Sequence, residues 1–491
     1  MEPDLSTRAE SFWRERSRAY FEVRVGARSG AGLAELHERY RDLFGDDVLT
    51  SLAAGLRDAG EAGSVGAARR RRLLGVLTEG RAGLLAGDAL DRKLAWECTA
   101  VVEVEGEAIP VRSVPVRLGE AEEAGRRAEI ARALAGARAA MEAVDRRVVE
   151  AGRQARAIVA DAGGRPWADE AGVGDVARKL LEQTEDAYLD LLGYELERRL
   201  GLGPGEASEA DMYRLRRAPW LDPLLGGLDP FEAAARQWRE LGLDWTAGGR
   251  IRVEGGPRAE HSGQTWWAVL SVPDEVVLVP GEERGWERVA AVYGALGQAH
   301  HAAWTDGDLP FEDRVAGDRS VSDGVGLLFR RLPGNPAWLG RYARLGRLAR
   351  PDPIRWAALL ALLDLRRAAA LALYELDLER SADPGAAREQ YVDRLSAATG
   401  LAVDGAGYLA EVEGAQRAGS RLRAWAVEAA FGKWLRDSFD EDWFRNPRVG
   451  PFLLESFARG YAEDAEAVVA RLGLPGLPFD EVPAWLLEPV G

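Results

Sequence analysis

The sequence predicts a mainly α-helical protein with a small β-sheet. Over most of the 491 residues, apolar side chains recur at three- and four-residue spacing, and many segments with this pattern end at glycine or proline. The pattern breaks in two places, where turn residues separate short apolar runs, as is typical of strands. A chain of this length is sufficient for a large core and for two or three domain-sized units.

Helical segments account for most of the chain. Several of the 16 tryptophans fall within them, where large aromatic rings usually anchor the packing of one helix on another. The segments with the clearest helical pattern are 120–161, 176–200, 230–241, 286–304, 352–379, 420–438 and 449–472.

Two β regions interrupt the helices. In 98–118, polar and apolar residues alternate on both sides of Gly106, which predicts a β-hairpin. In 250–280, three short apolar runs are separated by turn residues, so a small mixed sheet is expected next to helix 286–304. The three runs are 251–253, 265–270 and 275–279.

The glycine- and proline-rich segment 201–205 is the best candidate for a boundary between two parts of the chain. The N-terminal part, 1–205, is predicted to be helical and contains the hairpin. The C-terminal part, 206–491, contains the small sheet, helix 286–304 and the remaining helices.

Composition limits the class of protein. The net charge of −16 argues against general nucleic-acid binding, which needs a basic surface. The single cysteine, Cys98, cannot form an internal disulfide, and no signal peptide is visible at the N-terminus, so a cytoplasmic protein is expected. The most apolar segment, 356–365, is too short and too charged to span a membrane. The abundance of alanine, arginine and glycine with scarce lysine suggests a GC-rich bacterial genome.

Histidines are the first candidates for chemistry. There are four, and two of them, His300 and His301, are adjacent in helix 286–304. Neighbouring residues on a helix face different directions, and a zinc-binding pair needs spacing i, i+4. The positions four residues before and after this pair hold leucine, glycine, tryptophan and threonine, so no metal-ligand spacing is present. A structural role is the simpler interpretation of both side chains.

The same helix nevertheless resembles a known motif. Its segment Gly294-Ala-Leu-Gly-Gln-Ala-His-His-Ala302 is similar to the H-E-x-G-H-A-L-H-A motif of the thimet oligopeptidase and oligoendopeptidase F superfamily, zinc peptidases of the gluzincin group. Gly297, Ala299, His301 and Ala302 match the motif. The resemblance implies a zincin-like metallopeptidase fold with a deep cleft between helical halves and a small sheet at the edge of the cleft.

The residues that would carry the chemistry depart from this motif. On this alignment, Gly294 stands at the first zinc histidine, Ala295 at the catalytic glutamate and Gln298 at the second zinc histidine. Farther along, Asp323 begins a segment similar to the family's E-G-x-A-x-L-F, in which the glutamate is the third zinc ligand. The resemblance therefore implies a degenerate site in which only Asp323 keeps a carboxylate.

The C-terminal part continues the resemblance. The segment from Tyr408 to Trp425 is similar to one in which the family carries tyrosines that support the tetrahedral intermediate, and Arg417 and Arg421 stand at their positions. These arginines suit an acidic ligand or a peptide carboxylate. Alternatively, they pair with neighbouring carboxylates, and this simpler interpretation is preferred. The carboxylates concerned are Glu411, Glu413 and Asp323.

A zinc site of this type needs two imidazoles, a carboxylate, an open position for water and a general base. Since the imidazoles and the base are missing, we expect no zinc and no proteolysis by the family mechanism. The sequence favours a pseudopeptidase that binds a peptide or protein in its cleft, partly by backbone pairing along the edge strand. Further cleft candidates are His261, His300, His301 and Tyr408.

Three alternatives remain open at this point. One is an enzyme with a repurposed cavity, in which His300, His301 and nearby carboxylates act as acid–base groups. Another is a peptidase with a displaced, non-standard metal site built from both histidines and Asp323. The last is a structural subunit that acts only through a catalytic paralogue.

Overall fold

The computed structural model describes residues 2–58, 65–163, 172–203, 205–225, 227–254, 263–381 and 386–490. Within these ranges the chain is mainly helical, with one hairpin and one three-stranded sheet. No helix in the described ranges is both long enough and apolar enough to cross a membrane. His261, a sequence-based candidate for the cleft, lies outside them.

The chain before the three-stranded sheet consists of helices and the hairpin. The helices are α1 (Glu2–Arg24), α2 (Leu33–Arg39), α3 (Asp46–Asp58), α4 (Val65–Ala86), α5 (Ala89–Thr99), α6 (Val114–Glu120), α7 (Ala124–Ala139), α8 (Glu142–Asp161), α9 (Val173–Leu200), α10 (Glu209–Arg217), α11 (Asp222–Leu225) and α12 (Pro230–Glu240). The hairpin strands, β1 (Val101–Val104) and β2 (Glu107–Pro110), pair antiparallel. Glu105 and Gly106 form their turn with φ of 53° and 81°, both in the left-handed region that a tight two-residue hairpin turn requires.

The chain after the sheet is again helical. Its helices are α13 (Gly285–Ala303), α14 (Phe311–Val315), α15 (Ser320–Arg330), α16 (Pro336–Arg341), α17 (Pro351–Arg380), α18 (Ala387–Thr399), α19 (Ala415–Phe439), α20 (Val449–Ala458), α21 (Ala465–Arg471) and α22 (Val482–Leu487).

Two segments predicted as continuous helices are each divided. The segment 120–161 contains α7 and α8, separated at Ala140 and Met141. The segment 449–472 contains α20 and α21, because Gly460 adopts a φ of 52° after α20 and the side chain of Asp464 caps the start of α21. The predictions of one helix in each segment were therefore wrong.

The three-stranded sheet is mixed. It contains β3 (Ile251–Val253), β4 (Trp266–Ser271) and β5 (Glu275–Val279) in the spatial order β3-β5-β4. β3 runs parallel to β5, while β4 runs antiparallel to it and forms one edge of the sheet. Side chains of α13 pack on one face and Phe21 of α1 packs on the other. The sheet is therefore held between two helices, and β4 lies next to α13.

Two large apolar clusters form the core around α13, α15, α17 and α19. One contains the fully buried rings of Trp238, Trp338 and Phe329, and the other joins α9 to α17. Because α9 ends at Leu200 and α17 belongs to the C-terminal part, the two parts share a core. The domain division at 201–205 stays a prediction.

Helices α13 and α15 cross at very short range. A β-carbon at Gly297 would lie 2.9 Å from Cδ2 of Phe329, and one at Gly326 would lie 2.7 Å from Cγ of Gln298. Such distances leave no room for a larger residue without a shift of backbone or side chains. Glycine at these positions therefore allows the contact between the two helices that carry the candidate site.

Candidate functional site

The four positions that align with the peptidase motif line one cavity. Gly294, Ala295 and Gln298 come from α13, and Asp323 comes from the first turn of α15. Spacings of three and four residues place the three α13 positions on one helix face. The cavity has a volume of about 370 Å³ and is completed by residues of β4, α17 and α19. This volume lies within the range of small-ligand and peptide pockets.

A chain of hydrogen bonds crosses the cavity wall. The indole Nε1 of Trp267 on β4 donates to Oε1 of Gln298 at 2.8 Å, and Nε2 of Gln298 donates to Oδ1 of Asp323 at 2.8 Å. An indole can only donate and a carboxylate can only accept, so these two partners determine the orientation of the amide. Nη1 of Arg417 donates to Oδ2 of Asp323 at 2.6 Å. Both carboxylate oxygens of Asp323 are therefore engaged.

The two arginines of α19 share a carboxylate. Nε of Arg417 donates to Oε2 of Glu413 at 3.2 Å, and Nη2 of Arg421 lies 2.6 Å from Oε1 of the same residue. Burial would lower the pKa of Arg417, but the negative charge and hydrogen bond of Asp323 outweigh it and the pKa is raised. Glu411 instead pairs with Arg367 at 2.8 Å. Of the three carboxylates proposed for these arginines, Asp323 and Glu413 are their partners.

The residues at the motif positions do not fit a zinc ion. Gly294 has no donor atom, and a β-carbon there would lie 3.2 Å from Cβ of Arg330, so a histidine would crowd α15. The amide of Gln298 is satisfied at both ends, and Asp323 already accepts from an amide and a guanidinium. In the described part of the chain, no three His, Cys, Asp or Glu side chains converge on a point where a metal could bind.

Among the described residues that line the cavity, no carboxylate is placed as a general base. Ala295 presents a methyl group at the position of the catalytic glutamate. Asp364 of α17 lines the cavity and forms an ion pair with Arg216. Burial alone would raise the pKa of Asp364, but Arg216 lowers it below its ordinary value. A carboxylate that is ionised, paired and of lowered pKa is a weak proton acceptor.

The adjacent histidines lie in packed core and do not line this cavity. The ring of His300 stacks on Trp238 at 4.9 Å between centroids, and its Nδ1 accepts from Trp304 at 3.1 Å. The ring of His301 meets Phe457 and Tyr461 edge-on.

Burial lowers the pKa values of both histidines, to about 3 for His300 and about 4 for His301, so both rings are neutral near pH 7. The structure does not bring them together with Asp323 in a displaced metal site.

Tyr408 also lies away from the cavity. Its hydroxyl donates to Oε1 of Glu142 at 2.6 Å and accepts from Nη2 of Arg146 at 3.1 Å, so it ties the C-terminal part to α8. Of the sequence-based cleft candidates in the described residues, only Arg417 and Arg421 line the cavity.

The wall residues that the sequence did not predict include three with polar contacts: Trp267, Arg330 and Asp364. Arg330 lies seven positions after Asp323 on α15, and this spacing puts both side chains on one helix face. That spacing could have predicted Arg330 as a wall residue from the sequence. The place of Asp364 in the wall depends instead on how α17 packs in three dimensions.

Comparison with known proteins identifies the fold. No family model and no curated sequence matches this chain. Many solved structures do match, and three of them match over most of their length. A protein designated oligoendopeptidase F from Bacillus anthracis str. Ames has a TM-score of 0.59 and 11% identity over 86% of this chain and 77% of that one.

The second structure, BsuCP, has a TM-score of 0.56 and 9% identity over 99% of this chain and 97% of its own. The third, another protein designated oligoendopeptidase F, has a TM-score of 0.58 and 12% identity over 98% and 85% of the two chains. At such low identity these matches show the fold alone. The chain therefore has an oligoendopeptidase F-like, mainly helical fold with a small mixed sheet, and the predicted fold class is confirmed.

Proposed function

We propose that this protein is a metallopeptidase-like binding protein that holds a peptide, or an extended segment of a protein, in the cavity without cleaving it. The observation that supports this most directly is the engagement of both Asp323 oxygens by Gln298 and Arg417. In this arrangement a guanidinium neutralises the carboxylate, so no metal ion is needed for charge balance.

Hydrolysis of a peptide bond by this fold needs a polarised carbonyl and an activated water. Neither requirement is supplied by the residues around the cavity, because Gly294 and Gln298 offer no imidazole and Ala295 offers no base. The adjacent histidines, buried in core, do not support an acid–base role in the cavity. A non-hydrolytic role is therefore favoured over a repurposed hydrolase.

Peptide binding is supported by the position of β4. Among the strands of the described residues, β4 pairs only with β5, so no described strand occupies its outer edge, and strand edges of this kind pair with extended peptides. Side chains alternate along it: Trp266 contacts Phe21 of α1, and Trp267 lines the cavity. A peptide added to this edge would therefore lie beside the cavity.

The proposal is tested on the purified full-length chain by three measurements. Elemental analysis is expected to find far less than one zinc per chain, even after incubation with zinc and dialysis. A mixture of fluorogenic peptides is expected to stay uncleaved with and without a chelator. Calorimetry with a mixture of unlabelled peptides is expected to show saturable binding.

Two variants locate the binding. Ala295→Phe places a ring in the cavity and is expected to weaken peptide binding by tenfold or more. Ala160→Phe adds the same ring on an exposed face of α8 and is expected to leave binding unchanged. Stoichiometric zinc together with chelator-sensitive cleavage would overturn the proposal, as would peptide binding that Ala295→Phe does not affect.

A further inference from the structure

Two arginines of the cavity wall have unused hydrogen-bond donors. We propose that Arg330 and Arg421 bind the carboxylate of the peptide, and that this carboxylate is its free C-terminus. The inference rests on the proposed function, since it names the class of peptide that the same cavity would take.

Arg330 reaches the cavity from α15. Its Nη2 donates to Oε1 of Glu287 at 2.8 Å, and its side chain is 28% exposed. Its Nε and Nη1 have no acceptor within hydrogen-bonding distance anywhere in the described ranges. A planar guanidinium with free N–H groups suits a carboxylate because both oxygens can accept at once.

Arg421 reaches the cavity from α19. Its one ion pair within 4 Å in the described residues is with Glu413, which is 46% exposed and also shared with Arg417. The buried Glu375 lies farther off and interacts with Arg421 electrostatically without a hydrogen bond. An ion pair with a solvated carboxylate contributes little, because water screens it. A ligand carboxylate that enters the cavity can therefore bond to Arg421 with little loss from the existing pair.

The charges around the cavity are unevenly placed. Three guanidinium groups line the wall, those of Arg330, Arg417 and Arg421, against two carboxylates. The two carboxylates already have partners, since Asp323 is bound by Arg417 and Asp364 is bound by Arg216. The acids that pair with Arg330 and Arg421 do not line the cavity. Among the groups that line the cavity, positive charges therefore exceed negative charges by one, although Asp364 also interacts electrostatically with Arg330.

The rest of the wall points to the C-terminal residue of a peptide. Trp267, Leu327 and Trp425 supply apolar surface in the same cavity. A C-terminal leucine or phenylalanine carries its apolar side chain and its carboxylate on one α-carbon, so both features of the wall can be used by one residue. A side-chain carboxylate of aspartate or glutamate is the other source of the same chemistry.

The test uses three sets of acetylated tetrapeptides, each a mixture ending in alanine, leucine or phenylalanine. One set has a free C-terminal carboxylate, the second is amidated, and the third is amidated with glutamate at the preceding position. Calorimetry on the wild-type protein is expected to give at least tenfold tighter binding of the free acids than of either amide set.

Two variants then test whether Arg421 binds the carboxylate. Arg421→Gln is expected to reduce the preference for the free acid to threefold or less. Arg388→Gln is the matched control, because Arg388 has an equivalent ion pair, 2.6 Å from Glu142, at a site that does not line the cavity. This control should keep the full preference. If Arg421→Gln does not fold, the carboxylate site is tested by comparing the free-acid and amidated peptides on the wild-type protein.

The outcomes separate this inference from the proposed function. Equal binding of acids and amides to the wild type would overturn the carboxylate site and leave peptide binding intact. Tighter binding of the glutamate-containing amides would overturn the assignment to the C-terminus. The absence of binding by any of the three sets would count against the proposed function itself.

Discussion

Arg417 donates a hydrogen bond to Asp323 at 2.6 Å across the junction of α19 and α15. Asp323 has the one carboxylate among the four positions that align with the peptidase motif, and its other oxygen accepts from Gln298. The three side chains together join the motif helix α13 to α15 and α19. These side chains thus form a polar network in which the carboxylate and the guanidinium are paired, and such networks are costly to open.

Removal of the guanidinium should destabilise the protein. Arg417→Gln leaves Oδ2 of Asp323 without its charged donor, at a site where the carboxylate is only 13% exposed. We expect the free energy of unfolding to fall by about 1–3 kcal/mol, as for other hydrogen bonds to partly buried charged groups. Guanidinium denaturation followed by circular dichroism measures this change.

A double-mutant cycle with Asp323→Asn shows whether the loss comes from the pair. The double variant should lose less than the sum of the two single variants, with a coupling of about 0.5–3 kcal/mol. Strict additivity would contradict the role assigned to this contact.

Placing the family's motif residues at positions 294, 295 and 298 should not by itself create a zinc site. We expect the variant Gly294→His/Ala295→Glu/Gln298→His to bind far less than one zinc per chain. A β-carbon at position 294 meets Cβ of Arg330 at 3.2 Å, and Arg417 still holds Asp323. Elemental analysis after zinc loading and dialysis measures the occupancy.

The control adds Arg417→Ala to the same three substitutions and is expected to raise zinc occupancy relative to the triple variant. Full occupancy in the triple variant would show that the polar network is not what excludes the metal.

Much of the fold could be predicted because the helices and strands follow the local spacing of apolar residues in the sequence. α13 begins and ends within one residue of the predicted helix, and β5 coincides with the predicted strand 275–279. The break between α7 and α8 was missed because Ala140 and Met141 are not helix breakers, so tertiary packing decides where the first helix ends.

The site was predictable only in part, for a different reason. The motif resemblance placed Gln298 and Asp323 near each other, but their hydrogen bond depends on how closely α13 and α15 cross. That distance is set by Gly297 and Gly326, whose role is visible only when both helices are seen together. The position of Asp364 in the cavity wall likewise depends on long-range packing, and no local sequence pattern predicts it.

The helix crossing gives a prediction on stability. In Gly297→Ala the new methyl group would lie 2.9 Å from Cδ2 of Phe329 and 3.0 Å from the carbonyl oxygen of Val325. The backbone oxygen cannot easily move, so we expect a loss of about 1–3 kcal/mol from overpacking.

The matched control is Gly136→Ala in α7, where an added methyl group meets nothing within 4 Å. Alanine favours the helix more than glycine does, so this variant should gain about 0.5–1 kcal/mol. Thermal and chemical denaturation of both variants compare the two effects. Equal changes in the two variants would show that the crossing is not tightly packed.

The buried histidines predict an acid sensitivity. The folded-state pKa values, about 3 for His300 and about 4 for His301, lie below the ordinary value of 6.5. Below pH 6.5 the unfolded chain therefore binds protons that the folded chain does not. The stability associated with these rings is fully present above that pH and is lost as the pH falls toward 4.

Each histidine should contribute a slope of about 1 kcal/mol per pH unit between pH 6 and pH 4.5. The measurement is the free energy of unfolding of the wild type and of His301→Phe at several pH values in this range. Phenylalanine keeps an aromatic ring against Phe457 and Tyr461 but cannot titrate, so the slope of the unfolding free energy against pH should fall by about 1 kcal/mol per pH unit. The comparison cancels other titrating groups, including His37, whose pKa is also lowered by burial. Parallel curves for the two proteins would mean that His301 is protonated equally in the folded and unfolded states, and its ring would then not be buried in the neutral form.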